Sequence, residues 1–395
     1  MTSLFRDAIP VSDLDPFSAE SIVDAHRVDG ELRELGPVVH LSLYGILAVA
    51  RHASVKAVLG DWATFSSKNR PFNDEATLVP QVLVTDDPPE HGVIRAKLMQ
   101  FFTPVRMKDI RGAFEAQADR IVEAALSHDG IVDGAKDIAQ PFILSAFPDL
   151  LGLPNERRED LLLFGEAIFN GAGPRNAIFF EALERCAPGF MWVTEHTTRD
   201  RVAAGGLAAQ TYALADAGEV TDQEADLLVK TMLGAGFDTT IAAIANALKA
   251  FSDFPEEWGK VHSTPTLAKS AVEETLRFDP PARMMGRIVT KDTDFDGMPL
   301  VAGDRIGAFL DAAGRDARRW VEPDRFDVTR KGPHLGFGHG VHQCLGQALA
   351  RLETEVLLTA LARRVKRIET AGTPTRLINN NVLAWTSVPM RLHAA

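Results

Sequence analysis

The residues Phe337-Gly338-His339-Gly340-Val341-His342-Gln343-Cys344-Leu345-Gly346 place a cysteine directly behind a glycine-rich loop. Glycine has no Cβ, so a loop with three glycines between positions 336 and 340 can lie flat against a planar surface. A helix that begins just past Cys344 would turn the positive end of its dipole toward the sulfur and stabilise a thiolate. The pattern indicates a cysteine that can bind a metal.

Three other interpretations of this loop stay open at this point. A cysteine in a glycine turn is usually a buried apolar residue. A dinucleotide-binding loop fits poorly, because the glycines do not form G-x-G-x-x-G and no strand directly precedes them. A nucleophilic cysteine would need a base, and His342 lies two residues before Cys344.

The composition limits the class of protein. The chain has 395 residues, of which 46% are hydrophobic and 24% are charged, close to the averages of globular proteins. Its net charge of −12 disfavours binding to nucleic acid and to anionic membranes. Length alone would suggest two or three domains, but no linker marks a boundary between them.

The cysteine content and the first residues favour the cytoplasm. Two cysteines, Cys186 and Cys344, exclude a disulfide framework and zinc sites built from several thiolates. No signal peptide is visible, and no window approaches the ~20 apolar residues that span a bilayer. We therefore expect a soluble, cytoplasmic protein with no membrane partner.

Apolar residues recur at helical spacing over most of the chain. The segments with this pattern are 53–59, 105–126, 157–169, 182–199 and 207–217. A Thr-x-x-Glu capping box at Thr221 predicts a long helix to about Phe251, and another helix over 267–278 ends at Asp279-Pro280-Pro281. Short β segments are predicted at 38–50, as a hairpin, and at 284–289, 300–309 and 377–392. These patterns predict a mainly α protein with small β-sheets.

The cysteine loop closely resembles the haem-binding loop of the cytochrome P-450 monooxygenases, Phe-x-x-Gly-x-x-x-Cys-x-Gly, and every fixed position is filled here. The resemblance implies that Cys344 is the iron ligand of haem b, and that Phe337 and Gly346 belong to the cofactor-binding site. It also implies the family's fold, a triangular prism of helices around a buried haem. Residues 1–395 would then form a single domain.

A second motif is Glu274-Thr275-Leu276-Arg277, in the predicted helix 267–278. Alone, a carboxylate and a guanidinium three residues apart are usually a surface ion pair worth ~0.2–0.5 kcal/mol. In the family that the loop resembles, this Glu-x-x-Arg pair is buried and positions the loop before the cysteine. A third arginine often follows a Phe-Asp segment there, and Arg330 is the candidate.

A third motif, Ala235-Gly236-Phe237-Asp238-Thr239-Thr240, places a carboxylate and two hydroxyls in the middle of an apolar helix. Such polar groups are costly there unless something polar binds them. Alone, the motif would indicate a helix kink with a capping aspartate. Beside the cysteine loop it resembles the family's oxygen-activation site, which implies that Asp238 and Thr239 deliver protons to dioxygen through ordered water.

The family holds the haem carboxylates with cations and hydrogen-bond donors from fixed places. His91 and Arg95 fit its His-x-x-x-Arg pattern. Arg287 fits the arginine of the strand after the Glu-x-x-Arg helix, and His342 lies two residues before the cysteine. Val93 departs from the pattern, because many relatives have another arginine there, so we expect one donor fewer for these carboxylates.

Segments 33–39, 169–174 and 338–342 resemble bacterial monooxygenases that oxidise para-substituted benzoates, often by O-demethylation. The chain departs from those relatives at six positions. Leu78 stands where they have an arginine. Serines are replaced by Gln81, Thr231 and Gly234, and phenylalanines are replaced by Ala172 and Gly286. Losing the arginine removes a charge-assisted anchor for a carboxylate, and the smaller side chains open volume. We expect a roomier, less anion-selective pocket. Its candidate walls are Val84, Phe169, Ala235, Ala282 and Trp385.

The resemblance implies a haem-thiolate monooxygenase that inserts one oxygen atom from O2 into a C–H bond of a small aromatic substrate, by hydroxylation or O-demethylation. Because no flavin, nicotinamide or iron–sulfur motif is present, an iron–sulfur ferredoxin and its reductase would supply electrons. A peroxide-driven peroxygenase is an alternative, although such enzymes of the family usually lack the acid–alcohol pair. A haem-based sensor would need no proton relay, and a cysteine hydrolase would need neither haem nor Glu274.

Overall fold

Helices make up most of the structure. The computed structural model describes residues 8–68, 72, 82–128 and 130–395 of the chain. The helices, numbered in chain order, are α1 (Ala19–Val23), α2 (Ala25–Leu35), α3 (His52–Gly60), α4 (Glu90–Met99), α5 (Pro104–Leu126), α6 (Gln140–Leu151), α7 (Asp160–Asn170), α8 (Ala177–Arg185), α9 (Ala187–His196), α10 (Leu207–Asp216), α11 (Asp222–Gly236), α12 (Asp238–Asp253), α13 (Pro255–Ser263), α14 (Ala268–Phe278), α15 (Leu310–Gly314) and α16 (Gln347–Arg364).

The strands are short and form four sheets within these described ranges. They are β1 (Val11–Ser12), β2 (Val39–Leu41), β3 (Ile46–Val49), β4 (Phe65–Ser66), β5 (Val132–Asp133), β6 (Met284–Val289), β7 (Thr293–Phe295), β8 (Met298–Leu300), β9 (Arg305–Phe309), β10 (Val365–Thr370), β11 (Thr375–Arg376), β12 (Trp385–Ser387) and β13 (Pro389–Ala394). The largest sheet has the order β1-β2-β3-β9-β6-β4, the next has the order β10-β13-β5, and β11 pairs with β12 and β7 with β8.

The predicted fold class, mainly α with small β-sheets, is confirmed. The predicted hairpin is present as the antiparallel pair of β2 and β3, with Val39 opposite Ala48. Other β segments are shorter than predicted. The segment 300–309 is divided by a turn at Gly303, whose φ of +93° favours glycine. Within 377–392, strand structure begins only at Trp385.

Two predicted helices are each interrupted. The segment 182–199 contains the end of α8 and all of α9, which meet at Cys186. Pro188 lies in the first turn of α9, where its missing N–H donor is not needed. The long helix begins with the expected capping box between Thr221 and Glu224, but it is divided at Phe237 into α11 and α12.

The division at Phe237 has a local cause. The backbone of Gly236 lies against the ring of Phe147, whose Cε1 atom would be 2.6 Å from a Cβ at position 236. The hydroxyls of Thr239 and Thr240 donate hydrogen bonds to the carbonyls of Ala235 and Gly236, at 2.9 Å and 3.0 Å. Hydroxyls that donate to the preceding turn bend helices. The ring of Phe147 and the two threonine hydroxyls therefore both stabilise the break at Phe237.

Helix α12 crosses the centre of the protein. Its residues Ile244, Leu248 and Phe251 are fully buried, and each such side chain stabilises the fold by ~1.5–3 kcal/mol. The helix contacts α7, α14 and α16. It is therefore the common support of the Glu-x-x-Arg helix α14 and of the helix that follows Cys344.

One stretch among the described residues, Asp222–Asp253, is long and apolar enough to cross a membrane by composition alone. It consists of α11 and α12, and 56% of its most apolar window is buried inside the protein. Core helices of globular proteins have the same property, so this finding is weak support for a membrane span.

Candidate functional site

The cysteine loop is held by its own backbone. The N–H of Cys344 donates to the carbonyl of Phe337 at 2.9 Å. Gly338 and Gly340 have φ values of +71° and +75°, and a Cβ at Gly340 would lie 2.5 Å from the Leu59 carbonyl oxygen. Only glycine meets both conditions at 340, so the structure explains the glycines that the sequence places there.

Burial of Cys344 raises the pKa of its thiol, while the Gly346 N–H and the charges of Arg95 and Arg351 act in the opposite direction. Gly346 directly precedes α16, so the sulfur lies at the positive end of that helix, as predicted. A metal ion bound to this sulfur would add a further positive charge and favour the thiolate.

The residues predicted to hold the haem carboxylates lie together beside this loop. His91 and Arg95 are one turn apart on α4, and Arg287 lies on β6. The rings of His91 and His342 are 4.2 Å apart between centroids. Arg95 reaches the cysteine loop directly, since its Nη2 donates to the carbonyl of Gln343 at 2.6 Å.

Three nitrogens of this group are buried without a hydrogen-bond partner among the described residues: His91 Nε2, His342 Nε2 and Arg287 Nε. Burial, together with the charges of Arg287 and His91, lowers the pKa of His342 to about 3. Burial also lowers the pKa of Arg287 to about 10, although Asp87 opposes this. Buried donors left unpaired cost ~1–3 kcal/mol each, and the carboxylates of a haem provide the missing acceptors. The residues present therefore fit haem.

The Glu-x-x-Arg pair is buried, unlike an ordinary surface pair. Glu274 accepts hydrogen bonds from Arg277 Nε at 2.7 Å and Nη2 at 2.8 Å. It also accepts from the Asp327 N–H at 2.9 Å and from Arg330 Nε at 3.0 Å. Arg277 in turn donates to the carbonyl of Gly314 at 2.7 Å. The three predicted residues thus connect α14 to the segment that leads into the cysteine loop.

A second ion-pair group beside the loop was not predicted. Glu273 accepts from Arg351 Nε at 2.6 Å and lies 3.1 Å from His334 Nε2. The Arg351 guanidinium lies 4.4 Å from the centroid of the Phe337 ring. These contacts join residues far apart in sequence and follow no short motif, so only the fold reveals them.

Lowering the pH should reduce the free energy of unfolding more in the wild-type protein than in the Glu273→Gln variant. Although burial opposes the shift, hydrogen bonds from His334 and Arg351 lower the pKa of Glu273 from 4.5 to about 2. Its contribution to the free energy of unfolding is therefore present above about pH 4.5 and is lost as the pH falls toward 2. The side chain is 37% exposed, and screening limits this contribution to about 1 kcal/mol. Urea unfolding of both proteins at neutral pH and near pH 3 measures it. Equal acid losses in the two proteins would contradict the assignment.

Asp238 and Thr239, the acid and the alcohol of the third motif, lie against different parts of the protein. Thr239 lies one turn after Ala235, which is exposed although it lies in the middle of the buried α11–α12 stretch. Asp238 instead packs against α7, where a Cβ at Gly165 would lie 2.5 Å from its Cγ. Burial raises the pKa of Asp238 well above its usual range, and the charge of Glu166 adds to this. This shift favours the protonated carboxyl over the carboxylate at this position.

The candidate pocket walls divide into two groups. Phe169 packs with Ala242, Val382 and Ala384, and Ala282 forms a β-bridge with Val382.

Trp385 directly follows Ala384 and contacts two cations, with the Arg376 guanidinium 4.0 Å and the Lys249 ammonium 5.1 Å from its ring centroid. Val84 is 41% exposed in the turn 82–85, and Leu78 and Gln81 lie outside the described residues.

Comparisons with known proteins agree on one family. Residues 206–393 match the cytochrome P-450 family. The chain is 41% identical over 393 residues to Cytochrome p450 CYP199A2 of Rhodopseudomonas palustris, with 98% of this chain and 95% of that protein covered. It is 32% identical over 353 residues to an erythromycin C-12 hydroxylase of Saccharopolyspora erythraea, with 86% of each covered.

The fold is shared with solved structures. The structure of cytochrome P-450 CREJ in complex with (4-ethylphenyl) dihydrogen phosphate is similar with a TM-score of 0.87 and 25% identity, over 96% of this chain and 99% of that one. The structure of cytochrome P-450 CYP109Q5 from Chondromyces apiculatus is similar with a TM-score of 0.80 and 28% identity, over 97% and 98%. Since identity of 41% extends over nearly the whole chain, this protein belongs to the cytochrome P-450 family and is a haem-b monooxygenase.

Proposed function

We propose that this monooxygenase oxidises a C–H bond of a small, neutral aromatic substrate, by hydroxylation or O-demethylation, in the cytoplasm. The observation that supports the substrate class is the apolar wall beside α12, in which Phe169 packs with Ala242, Val382 and Ala384. None of these side chains is charged, so they favour an aromatic ring over an anion. The relative CREJ, solved with a para-ethyl aryl phosphate, supports an aromatic class as well.

Each predicted site residue has a physical task in this proposal. When bound, the haem supplies dioxygen binding and O–O bond cleavage, which a cysteine thiolate ligand promotes. Cys344 would hold the iron, while His91, Arg287 and His342, whose buried nitrogens have no partner among the described residues, would donate hydrogen bonds to the haem carboxylates. The apolar wall orients the substrate and excludes water.

Asp238 and Thr239 supply protons in this proposal. Burial raises the pKa of the Asp238 carboxyl and so favours its protonated form, which suits the role of proton donor that we assign to it. Thr239 lies next to it at the start of α12, and its hydroxyl already donates to the Ala235 carbonyl. The Thr239 oxygen keeps acceptor capacity for an ordered water, which would carry the proton.

We further propose that a separate iron–sulfur ferredoxin, reduced by its own reductase, docks near α5. This helix packs along α16, the helix that follows Cys344. It exposes Arg106, Lys108 and Arg120 on a chain whose net charge is −12. Asp109, Glu115 and Glu123 are exposed on the same helix, so these cations would meet an acidic ferredoxin as separate ion pairs rather than as one basic patch.

Thr239→Ala should raise the hydrogen peroxide released per electron consumed and lower product formation by about 100-fold, the lower end of the range that general acid catalysis contributes. Thr240→Ala is the matched control, because its hydroxyl is buried and donates to the Gly236 carbonyl. Turnover with a ferredoxin and its reductase measures both quantities. Unchanged coupling in Thr239→Ala would contradict the proton role, and product formed only from added peroxide would favour the peroxygenase alternative.

A neutral aromatic ether should shift the haem spin state more fully than its carboxylate analogue. We expect 4-methoxytoluene to bind at least about 10-fold more tightly than 4-methoxybenzoate, a difference of about 1.4 kcal/mol. The reason is that burying an unpaired carboxylate against apolar side chains costs several kcal/mol. Spectral titration of the holoenzyme with both compounds measures the two dissociation constants. Equal or tighter binding of the benzoate would contradict the neutral substrate class.

A further inference from the structure

Three consecutive asparagines, Asn379, Asn380 and Asn381, form a buried turn beside the apolar wall. Each of these residues is at most 6% exposed, and the turn leads directly into Val382 of that wall. Burying a carboxamide costs free energy unless its donors and acceptors are paired, so the partners of these side chains show what the turn holds in place. The partners come from segments that are distant in sequence.

Asn380 joins this turn to the end of α7. Its N–H donates to Asn170 Oδ1 at 2.9 Å, and Asn170 directly follows Phe169 of the apolar wall. Its Nδ2 donates to the carbonyl of Pro174 at 3.2 Å, in the connection between α7 and α8. A Cβ at Gly173 would lie 2.5 Å from the Asn380 Cβ, so this connection packs directly on the asparagine. A side chain at position 173 would separate the two.

Asn176, the residue before α8, holds the other end of the connection. Asn176 Nδ2 donates to Asn380 Oδ1 at 2.9 Å, and Asn380 Nδ2 donates to Asn176 Oδ1 at 3.1 Å. Asn176 Nδ2 also donates to the carbonyl of Phe17 at 3.0 Å. Asn176 Oδ1 accepts from the N–H of Phe179 at 3.1 Å and so caps α8. This pair of carboxamides thus fixes the α7–α8 connection to the asparagine turn and to the N-terminal segment.

The two flanking asparagines hold the other side of the wall. Asn379 Oδ1 accepts from the N–H of Val382 at 3.0 Å. The carbonyl of Asn381 accepts from the N–H of Arg283 at 2.9 Å, next to Ala282, which forms its β-bridge with Val382. The turn thus holds Ala282 and Val382 as firmly as it holds the end of α7.

We propose that Asn380 is a positioning residue that determines the shape of the substrate pocket. Its carboxamide holds the end of α7 against the turn before Val382, so that Phe169 and Val382 present a preformed surface to an aromatic ring. A preformed site loses less conformational entropy on binding than a mobile one, and therefore binds more tightly. This inference rests on the proposed aromatic pocket and adds to it a residue that acts through its neighbours.

Asn380→Ala tests the inference in the holoenzyme, with two probes that bind the haem iron. Imidazole occupies little space beyond the iron, whereas the phenyl ring of 4-phenylimidazole must also fit between the pocket walls. In Asn380→Ala, the dissociation constant of 4-phenylimidazole should rise at least about 10-fold, or about 1.4 kcal/mol, while that of imidazole stays within twofold. Spectral titration measures both constants. A rise of less than threefold for 4-phenylimidazole, or equal rises for the two probes, would overturn the proposal.

Thr211→Ala is the control for the loss of a buried polar group. Thr211 is fully buried on α10, where its hydroxyl donates to the carbonyl of Leu207 at 2.8 Å. Both dissociation constants of this variant should lie within twofold of the wild type. If Thr211→Ala weakens 4-phenylimidazole binding as much as Asn380→Ala does, the effect is general destabilisation and the proposal fails.

Two further variants keep the test decisive if Asn380→Ala does not fold. Asn176→Ser retains an oxygen that can cap α8 but removes the Nδ2 donor, and Gly173→Ala adds a Cβ that pushes the connection away from Asn380. Each should weaken 4-phenylimidazole binding and leave imidazole binding unchanged. Gly259→Ala on α13 is the control for the added methyl group, because a Cβ there meets no atom within 4 Å. Wild-type binding in both Asn176→Ser and Gly173→Ala would overturn the proposal.

The ether 4-methoxytoluene separates this proposal from the proposed function. Its KM should rise at least about 10-fold in Asn380→Ala, while kcat falls less than threefold, because the variant changes how the substrate is held. If the wild type does not bind the ether while 4-phenylimidazole distinguishes the two proteins as expected, only the proposed substrate class fails. If the wild type oxidises the ether and Asn380→Ala does so with the same KM, only this proposal fails.

Discussion

Replacing Glu274 with glutamine is expected to lower the free energy of unfolding by about 3–5 kcal/mol, because it leaves a buried guanidinium without its counter-charge. Arg277 is 2% exposed and donates two hydrogen bonds to this carboxylate. The Asp327 N–H and Arg330 donate two more. A glutamine amide offers one acceptor oxygen, and its NH2 group would face donors.

The neighbouring variant Glu273→Gln is the control for this prediction. Its carboxylate also pairs with an arginine beside the cysteine loop, but it is 37% exposed, so we expect a loss of about 1 kcal/mol. Urea unfolding of both holoproteins measures the free energies, and the Soret absorbance of the purified proteins measures haem retention. Equal losses in the two variants would contradict the claim that burial makes the Glu274 group the stronger one.

Cys344→Ser is expected to abolish product formation and to remove the strongly red-shifted Soret band of the reduced carbon monoxide complex. The physical reason is that this band and the cleavage of the O–O bond both require a thiolate ligand, and a serine hydroxyl at this position stays protonated. Iron and haem content, measured on the same samples, distinguish lost ligation from lost haem.

Cys186→Ser is the matched control. This cysteine is buried at the junction of α8 and α9, and its sulfur donates to the carbonyl of Leu183 at 3.0 Å, a hydrogen bond that serine can replace. We expect the spectrum and product rate of this variant to equal those of the wild type. A thiolate-type spectrum retained in Cys344→Ser, or lost in Cys186→Ser, would contradict the assignment of the iron ligand.

Features that depend on neighbouring residues could be predicted from the sequence. The left-handed backbone at Gly338 and Gly340, the thiol before α16 and the capping box at Thr221 each involve residues a few positions apart. The Glu-x-x-Arg pair was identified by its motif, although spacing alone predicts a surface pair. Its burial depends on Gly314, which the fold brings against it.

Features that depend on distant contacts could not be predicted. Apolar periodicity continues through Phe237 and predicts one long helix, and only the motif at 235–240 indicates a kink. The position of the break depends on the ring of Phe147 in α6, which no local pattern shows. The placement of Trp385 in the pocket stays a prediction, and its contact with Arg376 follows from the pairing of β11 with β12, which the sequence does not show. Similarly, no pattern marks Gly165 as the residue that admits the Asp238 carboxyl.

The short helix α7 carries both Phe169 and the glycine at position 165, about one turn apart on the same rigid element. Its last residue, Asn170, accepts a hydrogen bond from the Asn380 N–H at 2.9 Å, which ties the helix to the turn that bears Val382. The apolar wall and the contact with Asp238 are therefore fixed to the same short helix. We expect a substitution at Phe169 that moves this helix to move the contact at Gly165 with it, so substrate range and peroxide release should be measured together in such a variant.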